Sequence, residues 1–146
     1  MKNAFFRITV MLGLAFIAAA QTMRAQEPLL VNIPFAFTAG KMALPAGEYL
    51  VEKSSMGSAT LLIQRTDRSA AEFVPSIAAQ GNAPQTQSKL VFHRYGNRYF
   101  LSKVWIAGYL QGRELPQTKQ EKEQAVASNK TADQVTIVAR LIPSNH

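Results

Sequence analysis

Residues 89–95 (KLVFHRY) and 98–106 (RYFLSKVWI) stand on either side of Gly96-Asn97. This arrangement constrains the fold more than any other stretch of the chain. Two runs rich in β-branched and aromatic residues around a Gly-Asn pair predict a β-hairpin with a two-residue loop, glycine first as a type II′ turn prefers. With that loop Arg94 faces Tyr99, His93 faces Phe100, Phe92 faces Leu101 and Leu90 faces Lys103. Both faces of the hairpin carry large apolar side chains. It is therefore expected to be central, covered on one side by the sheet core and on the other by another element.

The rest of the chain is also written mostly in period two. Val31, Ile33, Phe35 and Phe37 alternate with Asn32, Pro34, Ala36 and Thr38, which predicts a strand with one buried face. Pro34 cannot donate to a ladder, so this strand is expected at an edge or irregular in its first half. Residues 44–47 (LPAG) read as a turn, and 48–53 (EYLVEK) as a strand with Tyr49 and Val51 on one face. Residues 60–65 (TLLIQR) are a third strand. Residues 71–78 (AEFVPSIA) are a fourth, edge or bulged because of Pro75. Residues 80–88 are a polar loop, and 134–142 (QVTIVARLI) the last strand. Residues 116–127 (PQTKQEKEQAVA) lack aromatics and are rich in helix formers, with Pro116 suited to a first helical turn. Gln117/Glu121 and Lys119/Glu123 are spaced four apart. These features predict a mostly solvated helix over about 115–128, with only Leu115, Ala125 and Val126 available for burial. The sum, about seven strands and one helix, predicts a mainly β fold: a small antiparallel β-sandwich or partly open β-barrel with one peripheral C-terminal helix.

The N-terminus supplies an address. Lys2 and Arg7 form a short positive region, and 8–20 (ITVMLGLAFIAAA) is an uncharged apolar run of the length of a signal-peptide core. Ala18 and Ala20 satisfy the small-x-small cleavage rule, and Ala25 gives a second site. Residues 1–25 are thus expected to be a secretory signal peptide, and 26–146 one β-rich domain placed in the periplasm or outside the cell. Retention of the signal as an anchor is the other outcome. Taking 25 residues from 146 leaves 121, enough for one domain with a core. The whole chain carries +7; without Lys2, Arg7 and Arg24, thirteen cations face nine acids and the charge falls to +4. That balance does not call for nucleic acid, and an exported partner is expected to be an envelope component: protein, glycan or lipid. The chain has no cysteine. Disulfides, a thiol nucleophile, a cysteine metal site and a lipoprotein anchor are all excluded. No second apolar run has transmembrane length, so no stable span is expected after cleavage.

Chemistry-bearing residues are few. The histidines are His93 and His146. His93 is the one plausible imidazole base; no acid is near it in sequence, and Asp67, Glu72 or Glu114 would have to arrive by folding. There is no G-x-S-x-G, and 55–58 (SMGS) reads as a loop rather than a nucleophile turn. Glu48 and Glu52 share a strand face but lie about 13 Å apart, too far for a glycosidase pair. Two histidines and no clustered acids do not make a zinc site. No catalytic residue, cofactor or metal is assigned. The hairpin does interleave basic and aromatic side chains, and His93, Arg94, Tyr95, Arg98, Tyr99 and Trp105 form a candidate binding surface for stacking plus charge.

The exported N-terminus, residues 32–37 (NIPFAF), 44–52 (LPAGEYLVE), 89–105 (KLVFHRYGNRYFLSKVW) and 112–123 (GRELPQTKQEKE) together resemble a family of small exported β-rich proteins from soil bacteria. The resemblance covers most of the chain after the leader. It implies a single exported β domain and transfers no catalytic residue, because the family has no established activity. The sequence thus predicts a non-enzymatic exported domain that binds or interacts at the cell envelope. A carrier of a small apolar ligand in a barrel interior is the alternative, and a hydrolytic enzyme the third reading.

Overall fold

Alternating apolar residues make the strands of this protein, and prolines and small residues mark where the chain leaves one sheet for another. The computed structural model describes residues 27–57 and 59–143. The expected signal peptide with its two expected cleavage sites, and His146, lie outside the described residues. One sheet has the spatial order β12 (Arg140–Leu141), β1 (Leu29–Ile33), β4 (Gly47–Lys53), β5 (Thr60–Arg65), β6 (Ala71–Pro75), with all neighbours antiparallel. The other runs β11 (Asp133–Val138), β8 (Lys89–Tyr95), β9 (Arg98–Trp105), β10 (Gln111–Glu114), β7 (Ile77–Gln80). Beside β10, the short β2 (Phe37–Ala39) pairs in parallel with β9 at Thr38–Phe100, and β3 (Met42–Leu44) pairs with β2. The helix α1 spans Lys119–Ser128. Two sheets that do not close into a barrel make this a small β-sandwich with one helix.

The strand count exceeds the sequence reading for a specific reason. Three runs that look like single strands are each divided between the two sheets. The first leaves its sheet at Pro34, the second at Ser76 after Pro75, and the third at Ala139. Pro34 therefore ends β1 and does not place it at an edge: β1 lies between β12 and β4. At the other two corners the freed backbone donors are paired. Ser76 N–H donates to Ala59 O at 2.7 Å, and Ala139 N–H to Ser88 O at 2.9 Å. The short strands β3 and β10 are too brief and too poor in apolar alternation to read from sequence. They form because β2 and β9 present ladder edges to them.

The hairpin forms as the Gly-Asn pair predicts. Gly96 takes φ 64° and Asn97 keeps a negative φ, the sign pattern of a type II′ turn. Arg94 faces Tyr99, His93 faces Phe100 and Phe92 faces Leu101. Beyond that the register differs from the simple expectation. Val91 faces Lys103 and Leu90 faces Val104, because Ser102 is an extra residue in β9. The bulge has a physical reason. Without it Lys103 would share a pair with fully buried Leu90; with it Val104 fills that inward position and Lys103 faces outward. The carbonyl of Ser102 is taken up by Leu115 N–H at 2.8 Å, so the bulge also seats the chain leading to the helix.

The core between the sheets differs from end to end. At one end aromatic rings close it. Phe35 meets Phe92 edge-on at 5.0 Å and stacks on Tyr99 at 3.8 Å, while Phe37 meets Tyr49 at 5.2 Å and Phe92 at 5.5 Å. The Tyr49 hydroxyl is satisfied by Pro45 O at 2.6 Å. The other end is lined by aliphatic side chains, among them Leu29, Val51, Leu61 and Val104. A second small cluster, Ala79, Val91 and Trp105, lies on the outer face of the β8–β9 sheet.

Candidate functional site

The six hairpin residues do not form one surface. Tyr95 is buried, and so is Trp105, at 8% exposure. The indole lies over Gly112, where a Cβ would come within 2.6 Å of its Cε3 atom, so the ring has no free face for stacking there. Tyr99 is stacked on Phe35. Arg94 pairs with Asp133 at 2.9 Å across to β11, and this contact raises its pKa further. Arg98 donates to Gln124 of α1 at 3.0 Å. The aromatics are mostly committed to packing and the cations to neighbouring elements.

His93 acquires a partner that none of the acids considered from sequence supplies. Glu121, from the first turn of α1, places Oε1 at 2.8 Å from His93 Nδ1 and accepts the Tyr95 hydroxyl at 3.2 Å. Glu121 is only 4% exposed, and it is the one buried residue of the helix. A buried carboxylate is costly unless hydrogen-bonded, and here two donors meet it. Burial and the nearby Glu121 charge hold the Tyr95 phenol above its ordinary pKa. The position of Glu121 follows from where the helix begins. Thr118 is the N-cap, its Oγ1 accepting Glu121 N–H at 3.3 Å, so the helix starts after 118 and not near 115. Pro116 thus precedes the cap. Thr118-x-x-Glu121 has the spelling of a capping box. That signal could have located the helix start, but nothing local aims the carboxylate at β8. The apolar candidate Val126 is 80% exposed, and the helix meets the hairpin through Glu121 and through the Arg98–Gln124 bond. With Nδ1 turned to Glu121, the imidazole is oriented as a general base would be. Among the described residues no hydroxyl is hydrogen-bonded to it. Nor do three His, Asp or Glu side chains gather as a metal site among them.

The aliphatic end of the sandwich holds an open cleft of about 140 Å³. Leu29, Val51 and Leu61 from one sheet and Val104 from the other, each at most 3% exposed, lie at its floor; Glu27, Glu52, Lys53, Ile106, Gln111 and the exposed Tyr109 stand around its mouth. Arg113 enters from β10. Its Nε and Nη2 atoms donate to Ser76 Oγ and O at 2.9 and 2.7 Å, which holds the guanidinium against the corner between β6 and β7. Arg113 belongs to the Gly-Arg-Glu-Leu-Pro segment that carries the resemblance, but neither it nor Ser76 is marked as a site residue by the sequence. An arginine beside a glycine in a four-residue strand has no signature, and its role depends on a corner made 37 residues earlier.

The chain matches no protein-family model, no curated protein and no solved structure.

Proposed function

We propose that this protein is an exported, non-enzymatic β-sandwich that works by binding at the cell envelope, with the aliphatic end cleft as its ligand seat. The observation that carries this reading is the asymmetry of the core. One end is filled by aromatic rings, while the other leaves a cleft with an aliphatic floor, a polar rim and an exposed tyrosine at its mouth. Concave, mostly apolar sites with a few placed polar groups are the usual form of small-molecule sites. The barrel-interior version of the carrier idea is relocated to this cleft, because the two sheets do not close into a barrel. The signal-like N-terminus supports export. The test is native mass spectrometry of protein purified gently from its own host. The expected result is a mass cut after Ala20 or Ala25 carrying a small adduct, with the adduct lost in Leu61→Phe. An uncut mass recovered in the cytosolic fraction would refute export; an uncut mass in the membrane fraction would select the retained-anchor outcome. Substrate turnover abolished by His93→Ala would refute the non-enzymatic reading.

A further inference from the structure

We infer that the end cleft selects a small monocarboxylate: the acid group pairs with Arg113 and a short apolar tail lies against Leu29, Leu61 and Val104. This rests on the cleft being the ligand seat and adds the chemical class of the ligand.

The argument starts from Arg113. Two of its three nitrogens are spent on Ser76, which fixes the plane of the guanidinium without neutralising it. Among the described residues no carboxylate lies within ion-pair distance of it, and Nη1 makes no hydrogen bond. The side chain is half-buried at the cleft wall, where a charge without a counter-ion is poorly solvated and an incoming carboxylate is worth more than at an open surface. The acids at the same mouth are Glu27, just before β1, and Glu52 on β4, and neither is ion-paired with Arg113. Their charges disfavour a second anionic group on the ligand, which restricts the ligand to one acid. The tail is bounded by volume. The cleft holds about 140 Å³, close to the ~150 Å³ apolar cavity that takes up benzene, so about six carbons fill it.

The experiment compares hexanoate with hexanol by amide chemical-shift titration on the host-processed protein. It uses the wild type, Arg113→Gln, Arg113→Lys and Leu61→Phe. The expected result is that hexanoate shifts amides of residues around Leu29, Val51, Leu61 and Val104, and that hexanol binds more weakly. Arg113→Gln should weaken hexanoate about tenfold, the loss of one charge-assisted contact, and leave hexanol unchanged. Arg113→Lys should retain part of the preference, and Leu61→Phe should remove both ligands. If Arg113 only ties the β6–β7 corner, Arg113→Gln weakens both ligands alike or unfolds the protein. In the second case Arg113→Lys decides, because equal affinities for acid and alcohol there overturn the inference. Equal binding of hexanoate and hexanol by wild type overturns the carboxylate assignment and leaves the cleft reading standing. Cleft amides unmoved by either compound overturn both.

Discussion

Glu121 holds the helix to the sheet, although the capping-box spelling around it marks only a helix start and not a contact with β8. Its carboxylate is the buried end of a contact with His93 and Tyr95, and removing it strands two polar groups under the helix. Glu121→Ala is expected to cost about 1–3 kcal/mol, read as a lower urea midpoint with an unchanged slope. The tyrosines report the same site. Burial, and then the Glu121 charge, hold Tyr95 above 10.0, and burial does the same for Tyr49. A phenol kept protonated in the fold contributes stability that is complete below the unfolded value. That stability is lost as pH rises through the folded one. Ultraviolet titration should therefore show at least two of the four tyrosines ionising late, with stability falling above about pH 10. Glu121→Gln should bring the Tyr95 step to lower pH; an unmoved step would mean that burial alone sets it. Gly112 is the second decisive residue. A methyl there would meet Trp105 and the Val104 carbonyl, each at 2.6 Å. Gly112→Ala is expected to cost about 1–3 kcal/mol and to shift the indole fluorescence; native-like emission and stability would show that β10 can slide aside.

At the scale of elements, the hairpin and the helix are stabilised differently. β8 and β9 bury Leu90, Phe92, Leu101 and Val104 and pair with strands on both sides. The helix has no apolar face: its contacts are the Thr118 cap, Glu121 and the Arg98–Gln124 bond. Hydrogen exchange should rank the two accordingly, with slow amides in 90–93 and 100–104 and much faster ones in 122–128. Thr118→Ala should remove about 1 kcal/mol of helix stability and speed exchange in α1 without touching the hairpin. Equal protection in both elements would show that the helix is bound by something stronger than its first turn.

For the molecule as a whole, stability rests on one inter-sheet core with no covalent cross-link, since the chain has no cysteine. The aromatic end carries much of it. Phe92 is fully buried and touches both Phe35 and Phe37, so Phe92→Ala is expected to cost about 3–5 kcal/mol. Phe73, on the outer face of β6, is 52% exposed, and Phe73→Ser should cost no more than about 1 kcal/mol. Thermal unfolding of the two variants separates them; similar losses would mean that the outer face of that sheet is covered in solution. The proposed ligand seat is at the opposite, aliphatic end of that core.

Elements whose signals are local are legible in the chain alone. The type II′ hairpin is legible from Gly96-Asn97, β4 from Tyr49 and Val51 on one face, β5 from the strand-forming run 60–65, and a helix over about 115–128, formed at 119–128, from composition. The mainly β class of the fold follows from the same signals. Tertiary structure decided what depends on residues far apart. It split three apparent strands between two sheets, because alternation tells which face is buried and not which sheet buries it. It added the Ser102 bulge, because the core excludes Lys103 although the turn alone would pair it with Leu90. It brought Glu121 to His93 across 28 positions and Arg113 to Ser76 across 37. Polar contacts of that range leave no periodic trace in a chain, so the candidate site became visible only when the two sheets were packed.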